Sequence, residues 1–263
     1  MKKKFYFMAG LPRSGSTLLA SILNQHPDVY VTPTSPLLPL LIEVQNKWHT
    51  LNEVVANPNG EQLTNIVRSI ISSSWEHRQE SIIIDKNRGW GKNMPASSIL
   101  FEEDIKVIAT VRDLPSIMAS WLTIINKNPN SHIQKEIQKR GYVPNDENIM
   151  AEMWFKMVKD CMESVVTLKK TAGERTIFVD YDDLMTNPKD KLDEINSFLD
   201  LSEHSYDLNN ITTESNDDDL FAWGLDGMHR IRANLGKTSK DPKEVLGKSL
   251  YERFIQLEKD YKE

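Results

Sequence analysis

Cysteine is nearly absent. Cys161 is the one thiol in 263 residues, which rules out an intramolecular disulfide and a Cys-rich structural metal site. A chain without disulfides reads as the product of a reducing compartment, so a cytoplasmic setting is expected. Long apolar runs are missing as well. No stretch approaches the roughly 18 apolar residues of a membrane span. The run Phe5 to Ala9 behind Lys2, Lys3 and Lys4 is cut by Gly10, Pro12 and Arg13, too short for the h-region of a signal peptide. Positive charge is not in excess. The 32 Lys and Arg are outnumbered by 38 Asp and Glu, which argues against nucleic-acid binding, since that needs a basic face. Histidine is scarce, six in all, and no pair has metal-ligand spacing, so no metal is expected. Gly/Ser-rich linkers and internal repeats are also lacking. A single domain over residues 1–263 is the expectation, long enough for a substantial core.

Four short apolar runs are present: Phe5–Gly10, Ser81–Asp85, Ile105–Arg112 and Arg175–Tyr181. They are rich in β-branched and aromatic residues without clean alternation, which predicts strands covered on both faces. Helical stripes fall between them: Leu18, Leu19, Ile22 and Leu23; Leu63, Ile66, Val67, Ile70 and Ile71; Met150, Met153, Trp154, Met157 and Cys161. A last one starts at Pro242. Strands alternating with helices indicate a three-layer α/β domain, P-loop-like, with a central parallel sheet flanked by helices. The polar stretch 126–148 reads as an inserted helix with loops over the sheet. The acidic run 214–219 reads as a solvated loop.

The segment FYFMAGLPRSGSTLL has the layout of a phosphate-binding strand–loop–helix. The pattern G-x-x-x-x-G-K-[ST] wants lysine at 16, where this chain has Ser16. Backbone N–H groups in such a loop form an anion nest, and the helix behind it adds a positive dipole end. Gly15 lets a phosphate approach the main chain, and Ser14, Ser16 and Thr17 offer hydroxyls. The loop's cation is Arg13, whose planar fork can grip a phosphate or sulfonate with two bonds. Asp85, ending an apolar strand, also fits the Walker B pattern of a nucleotide kinase or NTPase.

Pro12-Arg13-Ser14-Gly15-Ser16-Thr17 resembles the 5′-phosphosulfate loop of the sulfotransferases, P-[KR]-S-G-[ST]-T. VIATVRDLPSIMAS resembles that family's second signature, in which an arginine at a strand end and a serine eight residues on hold a 3′-phosphate; here these are Arg112 and Ser120. ILNQHPDV and FVDYDDLMTNP are similar to segments of tyrosylprotein and bacterial carbohydrate sulfotransferases. The resemblance implies a donor, 3′-phosphoadenosine-5′-phosphosulfate (PAPS), with 3′-phosphoadenosine-5′-phosphate (PAP) as product and no metal. It places Tyr181 near the adenine and Lys86 near the bridging oxygen. Arg232 and Lys237 fall in HRIRANLGK, similar to a basic loop closing over the 3′-phosphate. The implied reaction is in-line transfer of a sulfuryl group to a hydroxyl or amine of a small-molecule or carbohydrate acceptor, with the insert 126–148 near the acceptor site, no nucleic acid and no membrane span.

The family's carboxylate base is missing from VYVTPTSPLLPLLIEV; Glu43, His49 or a side chain from 126–148 could stand in. Without an identified base, three readings remain open here: a PAPS-dependent sulfotransferase, a P-loop kinase or NTPase, and a PAP(S)-binding protein without catalysis.

Overall fold

A computed structural model of the chain describes residues 3–94, 105–171, 173–213, 219–236 and 240–262. Five parallel strands form one sheet: β1 (Lys4–Gly10), β2 (Val29–Val31), β3 (Ile82–Lys86), β4 (Val107–Val111) and β5 (Thr176–Asp180), in the order β2-β3-β1-β4-β5. The central strand shows why the apolar runs do not alternate. Tyr6 and Met8 pack with Ile82, Ile84, Ile108 and Val179 on one face, while Phe7 and Ala9 pack with Val107 and Ala109 on the other. Both faces are covered, so every position is apolar.

On the first face lie α1 (Ser16–Leu23), through Leu19, Ile22 and Leu23, and α10 (Pro188–Leu199), through Leu192, Ile195 and Leu199. The second face is covered by α2 (Leu37–Trp48) and α4 (Gly60–Ser74), through Leu38, Leu41, Val67 and Ile71. The short α3 (Asn52–Ala56) joins these two and buries nothing. A further core forms around α5 (Leu114–Lys127), with α7 (Asp146–Met153), α8 (Lys159–Thr171) and α12 (Pro242–Lys262) packed on it. The short α9 (Tyr181–Thr186) follows β5, and α11 (Asp219–Trp223) precedes the last helix. Among the described residues no helix is long and apolar enough to cross a membrane.

The three-layer parallel architecture matches the sequence expectation, with four adjustments. The edge strand β2 was not foreseen, because three residues carry too little pattern to stand out. The expected strand over Arg175–Tyr181 ends at Asp180, whose side chain accepts from Asp182 N and Asp183 N and so starts α9 at Tyr181. The stripe from Met150 to Cys161 is helical but interrupted by a π segment, Trp154–Val158. The insert 126–148 contains α6 (His132–Lys139), fixed by a Ser131/Gln134 capping box, yet only Lys127 and Asn128 of that stretch reach the cavity described below.

The order places β1 between strands reached by crossovers to opposite sides, so its carboxyl end opens into a crevice. The approach of β1 to β4 at that end depends on Gly10. It has φ 120, and a Cβ there would lie 2.2 Å from Thr110 O. Gly10→Ala is expected to cost about 1–3 kcal/mol by overpacking, read as a lower midpoint in urea unfolding; an unchanged midpoint refutes this account of the strand end.

Candidate active site

The loop after β1 turns on three residues with left-handed backbone: Gly10, Arg13 (φ 58) and Gly15 (φ 83). Such a φ is costly for arginine, so the loop must be held from outside. Ser14 does this. Its buried hydroxyl donates to Leu11 O at 2.5 Å and meets Thr110 Oγ1 at 2.7 Å. The side chain of Ser14 therefore anchors the loop to β4 and does not line the cavity; toward an anion it can offer only its main-chain N–H. Gly15 caps α1 with no side-chain hydrogen bond and no acid in the first turn. The first N–H groups of α1, with the hydroxyls of Ser16 and Thr17, are thus available to an anion.

The cavity at this edge of the sheet measures about 1250 Å³. Arg13 enters it with Nε donating to Ser120 Oγ at 3.1 Å and Nη1 donating to the Met228 carbonyl. Its guanidinium carbon stands 5.8 Å from the Trp121 ring centroid. Burial, and then the like charges of Arg112 and Arg88, lower its pKa to about 10, so it remains a cation at neutral pH.

Arg112 leaves β4 just before Asp113, whose side chain accepts from Ser116 N and starts α5. Its guanidinium carbon lies 4.3 Å from the centroid of the Tyr181 ring. Nη1 donates to Arg13 O at 3.3 Å, while Nε is buried with no hydrogen-bond partner among the described residues. Tyr181 also presses on the loop: a Cβ on Gly15 would sit 2.7 Å from its Cδ2. Ser120 lines the same cavity as Arg112, but its hydroxyl accepts from Arg13.

Lys86 ends β3, one strand over. Its Nζ donates to Thr17 Oγ1 at 3.3 Å, and its main-chain N donates to Thr32 Oγ1 at 2.8 Å. The preceding Asp85 is 1% exposed and points inward, accepting from Ser35 Oγ and, at 2.7 Å, from Trp90 Nε1. Burial raises its pKa above the usual carboxylate range. It does not line the cavity. Arg232 lines the cavity; Lys237 lies outside the described residues.

Glu43, a base candidate from the sequence, is exposed on α2 and does not line the cavity. The periodicity that puts Leu37, Leu38 and Leu41 against the sheet turns Glu43 to solvent. His49 is exposed as well. His26 is buried and accepts from Asp28 N through Nδ1 at 3.1 Å, a packing residue at the end of α1.

The residue pair that sequence reasoning missed is His229 with Asp219. His229 Nδ1 is 2.6 Å from Asp219 Oδ1, and His229 N donates to Asp219 Oδ2 at 2.7 Å. Asp219 is 6% exposed, so the end of the acidic run is an interior residue and not part of a solvated loop. The imidazole lines the cavity beside the Arg13–Met228 contact. With Nδ1–H donated to Asp219, the ring is in the tautomer whose Nε2 is the basic nitrogen. The spacing of ten residues matches no motif. The available signal was a histidine between glycines, Gly224 (φ 69) and Gly227 (φ 74) on one side and Gly236 on the other.

Comparison with known proteins bears on this site. The profile of the Sulfotransferase family matches residues 6–205 of this chain. Over 229 residues the chain is 24% identical to a Caenorhabditis briggsae protein named as a protein-tyrosine sulfotransferase, covering 84% of this chain and 75% of that one. Protein-tyrosine sulfotransferase A of Caenorhabditis elegans is 24% identical over 205 residues, 75% of this chain and 50% of the relative. Among solved structures, the sulfotransferase domain of the curacin biosynthetic pathway superposes with a TM-score of 0.58, covering 98% of each chain at 18% identity. The domain of the Synechococcus PCC 7002 olefin synthase gives 0.52, covering 97% of this chain and 96% of that one at 19% identity. These two likenesses establish the shared fold, and the profile match across the loop, Lys86, Arg112 and Tyr181 establishes more: the chain belongs to the sulfotransferase family.

Proposed function

We propose that this sulfotransferase takes its sulfuryl group from PAPS and passes it to an acceptor hydroxyl, with His229 as general base. The observation that carries the donor assignment is the gathering of two cationic groups on one cavity, with an aromatic ring against both. The loop N–H groups with Arg13 and Lys86 form one. Arg112, with its unpartnered Nε, forms the other, and the Tyr181 ring lies against both Arg112 and the loop. A nucleotide bearing a 5′-phosphosulfate and a 3′-phosphate has this charge layout. Ser120 and Arg232 would complete the 3′ side.

In transfer, the acceptor oxygen bonds to sulfur as the bond between sulfur and the bridging oxygen breaks, and the acceptor proton goes to His229 Nε2. Asp219 keeps the imidazole in the tautomer that can accept it. Arg13, Lys86 and the loop donors meet the charge that develops on the leaving phosphate. Little covalent work remains for the protein, so positioning and electrostatics dominate. The inward-turned Asp85 and the serine at 16 weigh against a kinase or NTPase, and the His229–Asp219 pair weighs against a binding protein without catalysis. The relatives named for tyrosine substrates add a phenolic hydroxyl to small-molecule and carbohydrate alcohols as acceptor candidates. The lone cysteine supports a reducing, cytoplasmic setting.

PAP at 100 times its dissociation constant should stabilise the protein by about 2.7 kcal/mol. For a chain of this size that is a rise of several degrees in thermal unfolding, at roughly 2–4 °C per kcal/mol. The rise is expected without magnesium and lost in Arg112→Ala. Stabilisation by ATP with magnesium but not by PAP overturns the donor assignment.

His229→Ala should lower kcat by about 10²–10⁴ at unchanged PAP affinity, and Asp219→Asn should lower it in the same sense. Retention of turnover in His229→Ala places the base elsewhere. Lys86→Ala is expected to lower kcat by about 10²–10³, the usual loss for one preorganised donor, measured as transfer of labelled sulfate.

A further inference from the structure

Arg112 and Arg88 lie on opposite sides of the β1 loop. Arg112 follows β4 and Arg88 follows β3, with β1 between those strands. If the donor occupies the loop and the Arg112 side, Arg88 belongs to the other compartment. There its charge acts on Arg13, and its side chain meets the Cys161 thiol. That thiol cannot neutralise it, because burial raises the thiol pKa. Half-buried in the cavity wall, Arg88 has no carboxylate within ion-pair distance among the described residues.

Three other charges of the cavity wall, Asp160, Asp226 and Lys156, are paired, while Lys127 lines the wall on the α5 side. Asp160 faces Lys92 at 3.5 Å, Asp226 faces Arg230 at 3.8 Å, and Lys156 is held by Glu136 and, at 2.7 Å, by Glu152. A second donor is unmatched: the indole N–H of Trp121, a cavity-wall residue 1% exposed, is buried with no acceptor among the described residues. The apolar part of the wall is built by Ile124, Met157, Cys161 and Val245, which belong with Trp121 to one packed cluster. A half-buried guanidinium with no facing carboxylate among the described residues costs stability until an anion meets it.

We propose that the acceptor is amphipathic, with an apolar body against Trp121, Ile124 and Met157 and an anionic group, carboxylate or phosphate, held by Arg88. The proposal rests on the PAPS reading, because it assigns Arg88 to the compartment the donor leaves open. It adds a selectivity rule to the hydroxyl transfer: alcohols with an anionic group are favoured over their neutral counterparts.

The test uses the full chain saturated with PAP at fixed ionic strength, so that anions cannot enter the donor site. Its probes are 3-phenylpropionate, phenyl phosphate and the neutral 3-phenylpropanol, titrated calorimetrically. At least one anion should bind about tenfold or more tightly than the alcohol, as a charge-assisted hydrogen bond gives. Comparing the two anions tells a carboxylate site from a phosphate site. Arg88→Met should erase the preference while leaving PAP affinity intact, and Arg88→Lys should restore part of it. Equal binding of anions and alcohol, no anion binding up to the solubility limit, or a preference that survives Arg88→Met overturns the proposal. Should Arg88→Met fail to fold, the comparison on the wild type still decides. PAP is titrated first: if PAP fails to bind, the donor reading falls; if PAP binds and the anions do not discriminate, only the acceptor proposal falls.

Discussion

Positive charge crowded at one edge of the sheet is the constraint on which the rest of this site depends. Arg13, Lys86, Arg88 and Arg112 all face one cavity in a chain that is acidic overall. The crowding is severe enough to lower the Arg13 pKa to about 10, with burial as the larger cause and two neighbouring arginines behind it. A folded-state pKa below the ordinary arginine value means that the cation costs the fold stability at neutral pH. The ligand-free fold carries that cost, and an anionic donor removes it. Binding energy of this kind is concentrated where charge will build during transfer.

The sheet makes the crowding possible. Parallel strands end together, so residues far apart in sequence reach one line. Met8 pairs with Lys86 and Gly10 with Thr110, which sets the β3 and β4 termini on either side of the loop. Rigidity comes from uncharged parts: the Ser14–Thr110 contact, the absent Cβ at Gly10 and Gly15, and the Tyr181 ring wedged against the loop. None of these needs to touch the reacting atoms for the cations to be well placed.

The donor half of the site was legible because it is local. An apolar run, a glycine, a hydroxyl cluster and a helix stripe stand within a few residues, and Arg112 and Ser120 are fixed to one strand and the helix after it. Lys86 was legible for the same reason, at the end of SIIIDK. The proposed acceptor half was not, because its residues meet only through tertiary packing. Asp219 sits in an acidic run that composition assigns to solvent, yet it is buried against a histidine ten positions on. Glu43 failed in the opposite way: the sequence offers it in place of the carboxylate that the resemblance lacks, and the helical phase of α2 turns it to solvent. Ser14 belongs between these cases, correct as a loop residue but employed as an anchor. The edge strand β2 escaped because three residues cannot display a period.

The segment that carries His229 also carries Arg232, and its Met228 carbonyl accepts from Arg13. One strap therefore joins the proposed base, the loop after β1 and the wall residue Arg232. A strap of this kind cannot lift from one without loosening the others. Were it to lift for product release, His229 would leave the cavity in the same motion, and an entering water molecule would find no base in place. Economy with an activated donor would then follow from the chain path itself.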